Sequence, residues 1–476
     1  MEGQRMFEER LSDADALLWT INRDPVLRNT ITVVALLDRS PDFEVLVKRV
    51  DLLTREVPRL RSKVVPQGMG WGRLVWREDA HFELELHLRR LVAPAPGTLR
   101  TALDMAQVMA TTGFDPELPL WEATLIEGLE GGRAAMAIKL HHAVIDGVGG
   151  LAVVARMLDL QRDPGPADAV RTAAPEPVPD PGDHPGANPL GFVAGPVGRM
   201  GRLSWRAAEM TVGGVLHPIE TLAGLRSTGE SMLRLLAPTP EPLSSLLRGR
   251  SFARRFEVID LPVGALHQAG EAAGGTVNDA FVAGILGGLR HYHHLHGHVA
   301  GDLRIMMPVS IRRPSDPIQS NRFVPARFVL PADQPDPAAR IALVHELAGV
   351  WKRDPGLELT DVMAGVLNRL PPALATTAFA MMLKGSDFVA TNVPGLPTDT
   401  YLAGALVEEF YAFAPPSGAA VNVALVTMGG RACIGVNVDP AAVPDSAVLA
   451  GCLQQGFDEV LALVGGRPRG ASEAEP

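Results

Sequence analysis

The residue types best suited to chemistry sit together at His141-His142-Ala143-Val144-Ile145-Asp146-Gly147, where an apolar run breaks into a glycine-rich turn. Residues 134–142 (AAMAIKLHH) read as a short, largely buried strand preceded by Gly131-Gly132. Side chains alternate across a strand, so Met136, Ile138, Leu140 and His142 share one face; Ala135, Ala137, Lys139 and His141 share the other. That parity brings His142 out on the apolar side at the strand's end. A neutral imidazole, with an unperturbed pKa near ~6.5, can take a proton from a hydroxyl there. Asp146 falls in the turn, and Gly147, Gly149 and Gly150 let the backbone bend into a helix expected from near Leu151. Two plainer readings stay open on these residues alone. Paired histidines can be hydrogen-bonded core residues, and His with Asp can hold a metal if a third ligand comes from elsewhere.

Several catalytic classes have no signature here: there is no GxSxG elbow, P-loop, HExxH helix or dinucleotide fingerprint. Gly68-Met69-Gly70-Trp71-Gly72 is not a GxGxxG and reads as a hairpin turn. A histidine base with no evident covalent nucleophile suits direct attack on an already activated acyl group. With a thioester, the base need only deprotonate the acceptor hydroxyl as it attacks, while polar donors stabilise the oxyanion.

The elements that must position this turn follow from periodicity. Helices are expected at 8–22, capped by Ser12 or Asp13, at 43–57 and at 99–111, with strands at 30–37 and from Trp121 to Ile126 and alternation over 73–90. From Arg162 to about Pro196 the chain turns rich in Pro, Gly, Ala and Asp and reads as a linker, and 197–248 carries helical periodicity. A second α/β half starts at Phe252. It holds a helix from Val277 to near His294, strands at 303–308 and 388–392, and a hairpin joining VNVALVTM to RACIGVNV through Gly429-Gly430. The stretch HYHHLHGH (291–298) would place His291, His294 and His298 on one helical face, and a solvated helix end is the expectation there.

At 476 residues the expectation is two domains. A net charge of −10 argues against a general nucleic-acid binder. Two cysteines without a CxxC fit a reducing compartment. The charged N-terminus does not resemble a signal peptide, and no run is expected to span a bilayer; Ala373–Leu383 reads as a buried core helix rather than a membrane-surface one.

The chain also resembles the bacterial wax ester synthase/diacylglycerol acyltransferases over most of its length. His141-His142-Ala143-Val144-Ile145-Asp146-Gly147 is similar to the HHxxxDG motif, and Pro119-Leu120-Trp121 with Glu127-Gly128-Leu129 to the segment upstream of it. Val277-Asn278-Asp279 looks like the ND motif, and 307–312 (MPVSIR) and 391–395 (TNVPG) like two further blocks. HHxxxDG alone is shared with peptide-synthetase condensation domains and other chloramphenicol-acetyltransferase-like enzymes.

The resemblance implies an α/β fold of two chloramphenicol-acetyltransferase-like lobes, with mixed sheets flanked by helices and an active-site tunnel between them. Residues 1–162 would be the first lobe, 163–250 the linker and helical segment, 251–465 the second lobe and 466–476 a disordered tail. It implies acyl-CoA as substrate, with no cofactor and no metal, and diacylglycerol or a long-chain alcohol as acceptor. It also implies a cytoplasmic location, with the inner face of the membrane or a lipid droplet as a surface to work on. By motif His142 would be the base, His141 its support, Asp146 a mainly structural acid and Gly147 the turn residue. Asn278, Asp279, Thr391 and Asn392 would line the tunnel near the oxyanion, and Arg312, Arg313 and Arg322, with Arg304 and Arg327, would suit CoA phosphates. The alternatives are a condensation-type acyltransferase on the same fold and a non-catalytic lipid-binding relative.

Overall fold

The strand that carries His141 ends there, one residue short of the expected 134–142, and pairs along its whole length. In the computed structural model, which describes residues 7–67, 74–145, 147–163, 241–310, 323–352 and 367–465, β1 is Glu8–Arg10, β2 Thr30–Leu37, β3 Ser62–Pro66, β4 Leu74–Glu78, β5 Leu88–Val92, β6 Trp121–Glu127, β7 Ala134–His141 and β8 Leu158–Asp159. Among them lie helices α1 (Asp13–Ile21), α2 (Phe43–Glu56), α3 (Leu99–Thr111) and α4 (Gly147–Ala155). The second half holds β9 Arg255–Pro262, β10 Asp302–Ser310, β11 Phe323–Pro331, β12 Phe388–Leu396, β13 Tyr401–Leu402, β14 Ala405–Phe413, β15 Val421–Met428 and β16 Arg431–Val438. Its helices are α5 (Val263–Ala272), α6 (Val277–Leu295), α7 (Pro337–Lys352), α8 (Pro372–Leu383) and α9 (Ser446–Gly465).

A seven-stranded sheet has the order β5-β6-β7-β2-β14-β13-β8, and a six-stranded sheet the order β11-β10-β12-β15-β16-β9. β2 is buried at every position because both its faces are covered. The expected second lobe, 251–465, therefore lends residues 401–413 to the first lobe's sheet, where Tyr411 lies opposite Val34. One apolar core runs from the first sheet to the lobe-facing side of the second, including Met306, Val389 and Cys433. The other lies under α5, α6 and α9. Here α6 and α9 approach so closely that a Cβ on Gly288 would stand 2.5 Å from Leu453 Cα, which only glycine avoids.

Several expectations change on folding. Residues 8–10 are a strand paired to Arg77–Val75 rather than the start of a helix, and the helix begins after Ser12, whose hydroxyl accepts from the Asp15 N–H. The alternation over 73–90 resolves into β4, a short 3-10 turn at Leu84–Leu86 and β5. The helix after the glycine turn starts at Gly147, not near Leu151, and the second half's first strand starts at Arg255. The linker and tail lie outside the described residues, as do 197–240; residues 241–248 form no helix. Among the described residues one helix, α9, is long and apolar enough to cross a membrane, against expectation. Its Leu449, Leu453, Phe457 and Val460 are buried against the second core.

Candidate active site

The two histidines have opposite environments. Burial along β7 is complete at Ala135, Ala137, Lys139 and His141, whereas Ile138 and Leu140 on the other face are half-buried. His142, the first residue past the strand, is half-buried, its backbone N–H held by the Asn29 carbonyl at 2.8 Å.

His141 is sealed. Its ring stands edge-on to Trp19 and Phe114, with centroids 5.8 and 6.0 Å away. Its Nδ1 accepts from the Ala143 N–H at 3.0 Å, which puts the proton of the neutral ring on Nε2. Burial of the ring, reinforced by the neighbouring His142, pushes its pKa down to about 3. His141 therefore shapes the turn as a neutral group and is unsuited to proton transfer near neutrality.

The sign of the pH dependence follows. The unfolded chain binds this proton below about pH 6.5 and the folded chain does not, so stability present at neutral pH is lost as pH falls through that range. At about pH 5 the cost is roughly 2 kcal/mol from this group alone. Urea unfolding of wild type and His141→Gln at about pH 7 and pH 5 isolates it, because other buried histidines act equally on both proteins. The wild type is expected to lose more stability than the variant; equal losses would show that His141 takes up its proton in the folded state.

Residues far off in the chain hold the turn. The Val144 N–H returns to the His141 carbonyl at 2.9 Å, and Ala143, Val144 and Ile145 are buried. Arg59, on the 3-10 turn Pro58–Arg61, donates to the Val144 carbonyl at 3.4 Å. Its guanidinium also grips Glu9 at 2.7 and 2.9 Å and lies 3.6 Å from Asp15 on α1. The expected Pro119-Leu120-Trp121 segment proves to be positioning: the Leu120 carbonyl receives the His141 N–H at 3.0 Å, and Trp121 Nε1 donates to Leu60 beside Arg59 at 2.7 Å. Lys139 is fully buried, bonded to Glu122 at 3.0 Å and Thr112 at 3.1 Å, under the Phe114 ring that faces His141. No motif singled out Arg59, Trp19 or Phe114; the only local signal is the Arg-Leu-Arg run after the helix stop at Pro58.

Asp146 lies outside the described residues, as do Arg312, Arg313 and Arg322. Gly147 opens α4, and α4 packs against β12, the strand of Thr391 and Asn392. Asn278 is the second residue of α6, its amide nitrogen 3.5 Å from Met307 Sδ. Asp279 caps the same helix from within. It accepts from the N–H and hydroxyl of Thr276, both at 2.8 Å, so Thr276 rather than Asn278-Asp279 is the N-cap. Its carboxylate also meets His345 Nδ1 at 2.8 Å. Arg304 and Arg327 are not free for phosphates: Arg304 donates to the carbonyls of Glu241 and Gly385, and Arg327, buried, to that of Met382. The histidine stretch is dispersed, with His291 on Glu459, His293 on Ser244 and His296 on Asp445, and no group of three potential metal ligands occurs among the described residues.

Comparison with known proteins agrees with this arrangement. The catalytic-domain model of the wax ester synthase/diacylglycerol acyltransferase family matches residues 11–281, and the C-terminal domain model of that family matches 319–460. A Mycobacterium tuberculosis protein provisionally named a diacylglycerol O-acyltransferase is 37% identical over 472 residues, covering 98% of this chain and 94% of its own. The solved wax ester synthase/diacylglycerol acyltransferase of Marinobacter aquaeolei VT8 shares the fold, with a TM-score of 0.64 at 21% identity, over 96% of this chain and 100% of that one. The first condensation domain of the calcium-dependent antibiotic synthetase follows at 0.60 and 18%, over 97% of each chain. With both domain models and a full-length relative in agreement, the chain belongs to the wax ester synthase/diacylglycerol acyltransferase family.

Proposed function

We propose that the protein moves a fatty acyl group from acyl-CoA to the hydroxyl of diacylglycerol or a long-chain alcohol, with His142 as general base and no covalent acyl-enzyme. The observation that supports this reading is the contrast between the histidines: His141 is sealed and neutral, and His142, just past the strand, is half-buried. His142 takes the acceptor proton as the alkoxide oxygen attacks the thioester carbonyl. When the tetrahedral intermediate collapses, the C–S bond breaks and the same proton passes to the CoA thiolate. Neither cysteine suits covalent catalysis, since both are buried and burial drives the Cys433 thiol up to about 12.

Thr391, Asn392 and Asn278 are the donors proposed for the oxyanion, and Asp146 is proposed to hold the turn by pairing with Arg312. Arg313 and Arg322 are proposed to meet the CoA phosphates, and the reaction needs no metal or cofactor. A membrane or lipid-droplet surface supplies the acceptor; α8 supports this, because Leu374 and Met381 stand exposed on a helix packed beside α1. The test is purified protein with palmitoyl-CoA, offered hexadecanol and dioleoylglycerol in parallel. Ester formed from either, with free CoA released in equal amount, is the expected outcome; CoA release without ester would make the protein a thioesterase instead.

A further inference from the structure

Of the side chains on the sealed face of β7, one is out of place by its chemistry. Lys139 lies two residues before His141, wholly buried on a strand held between β6 and β2. All three N–H groups of its ammonium are used: Nζ donates to Glu122 Oε1 at 3.0 Å, Thr112 Oγ1 at 3.1 Å and the Gly113 carbonyl at 3.3 Å. A buried ion pair can often be exchanged for well-packed apolar side chains without loss of stability. Stability alone therefore does not call for a lysine here, and what its bonds hold is the better guide.

Two of the three bonds go to one short segment. α3 ends at Thr111, and the chain runs exposed through Thr112 and Gly113 before Phe114 turns inward. The Thr112 hydroxyl accepts from Lys139 and donates to the Met109 carbonyl at 2.8 Å, so the ammonium is joined to the last turn of α3. The third bond reaches Glu122, the residue facing Lys139 across the β6–β7 pair. Tied in this way, the Phe114 ring centre lies 4.3 Å from Nζ and 6.0 Å from that of His141, while Trp19 closes on His141 from α1. His141 Nε2 is buried without a hydrogen-bond partner among the described residues, so its state depends on that aromatic wall keeping water out.

We propose that Lys139 is a positioning residue for acyl transfer: by tying down Thr112 and Gly113 it holds Phe114 over His141, so that His141 stays dry, accepts the Ala143 N–H and fixes the turn from which His142 works. The inference rests on the reading of His142 as the base. Lys139 touches neither substrate nor His142 in this account; it acts through the loop and through His141.

The charged and titratable groups around this corner are Lys139 and His142, Glu122 on β6, Arg89 on β5 and Arg28 ahead of β2. α1 and the Pro58–Arg61 turn add Asp15 and Arg59, which pair with each other. Arg28 binds the Thr111 carbonyl at 3.0 Å, and so holds the end of α3 rather than Gly113. If the wall opens, water reaches Nε2 and can hydrate a protonated ring, which lifts the His141 pKa from about 3 toward its ordinary ~6.5. A protonated ring has no lone pair left for the Ala143 N–H, and the turn loses that bond. Loss of Lys139 therefore makes the turn sensitive to pH in a range where wild-type His141 does not respond.

Two variants of the full chain test it, each studied as folded protein below its melting temperature. Lys139→Met/Glu122→Gln removes the ammonium together with the carboxylate it would leave unpaired, and Phe114→Ala removes the wall with the ammonium intact. The first readout is a histidine-ring NMR titration, with His141→Gln to assign the resonance. His141 is expected to stay neutral between about pH 5 and pH 8 in wild type and to titrate near ~6.5 in both variants. The second is the pH profile of kcat/KM for palmitoyl-CoA, expected to fall ~10–10²-fold with an acid limb that steepens from one proton to two. A merely structural role would lower the rate by one factor at every pH. That outcome, or a His141 that stays neutral in both variants, overturns the assignment. Wild-type protein that transfers no acyl group refutes the acyl-CoA reading and with it the part of Lys139 in catalysis, while the ring titration still decides its hold on His141.

Discussion

His142→Ala is expected to lower acyl transfer by ~10²–10⁴-fold, the usual worth of a general base, with the melting temperature close to wild type. The second half of that expectation follows from where the side chain sits. His142 is half-buried just past the end of β7, and alanine keeps its backbone bond to Asn29. His141→Ala should behave differently. It empties a sealed site between Trp19 and Phe114 and removes the acceptor for the Ala143 N–H, so stability and activity should fall together. Turnover of both variants, beside their melting curves, separates the two roles. Near-wild-type turnover in His142→Ala, with a dead but well-folded His141→Ala, would reverse the assignment and refute the parity argument.

The second large effect is expected at Arg59, 4% exposed and shared among Glu9, Asp15 and the Val144 carbonyl. Arg59→Met leaves the buried Asp15 carboxylate without this cation, and breaking a buried pair in this way costs ~3–5 kcal/mol. A fall of several degrees in melting temperature should follow. Activity should fall as well, because the Val144 carbonyl lies two residues from His142 and small displacements of a base cost up to ~10²-fold. The double variant Arg59→Met/Asp15→Asn should recover part of the lost stability, since it removes the charge left uncompensated. Losses that simply add, or an Arg59→Met protein that melts with wild type, would show that this cation does not support the turn. Arg59 reaches this turn from the first lobe and acts on a backbone carbonyl.

Much of the local structure was written in the chain. The strand at 30–37, the helix at 99–111 and the hairpin through Gly429-Gly430 have the boundaries that periodicity and glycine placement predict. The alternation along 134–142 put His141 on the face that is sealed, because a strand's period of two is a property of the backbone itself. The motifs carried the resemblance to the family, and with it the two α/β lobes.

What only the tertiary structure decided depends on partners distant in sequence. Residues 8–10 lost their helical reading to pairing with β4, and 401–413 crossed into the first lobe's sheet to lie against β2. The arginines that seemed fit for CoA phosphates, Arg304 and Arg327, were taken by backbone carbonyls, while Arg59, which no motif marked, reached the turn. Pro308 could be read as a strand breaker singly, but only the fold sets it beside β12, where the β10–β12 pairing stops at Met306 and Val389. Periodicity encodes which face a side chain takes, since that follows from local dihedrals. Which strand or charge will cover that face is settled by long-range packing, and no local pattern carries it.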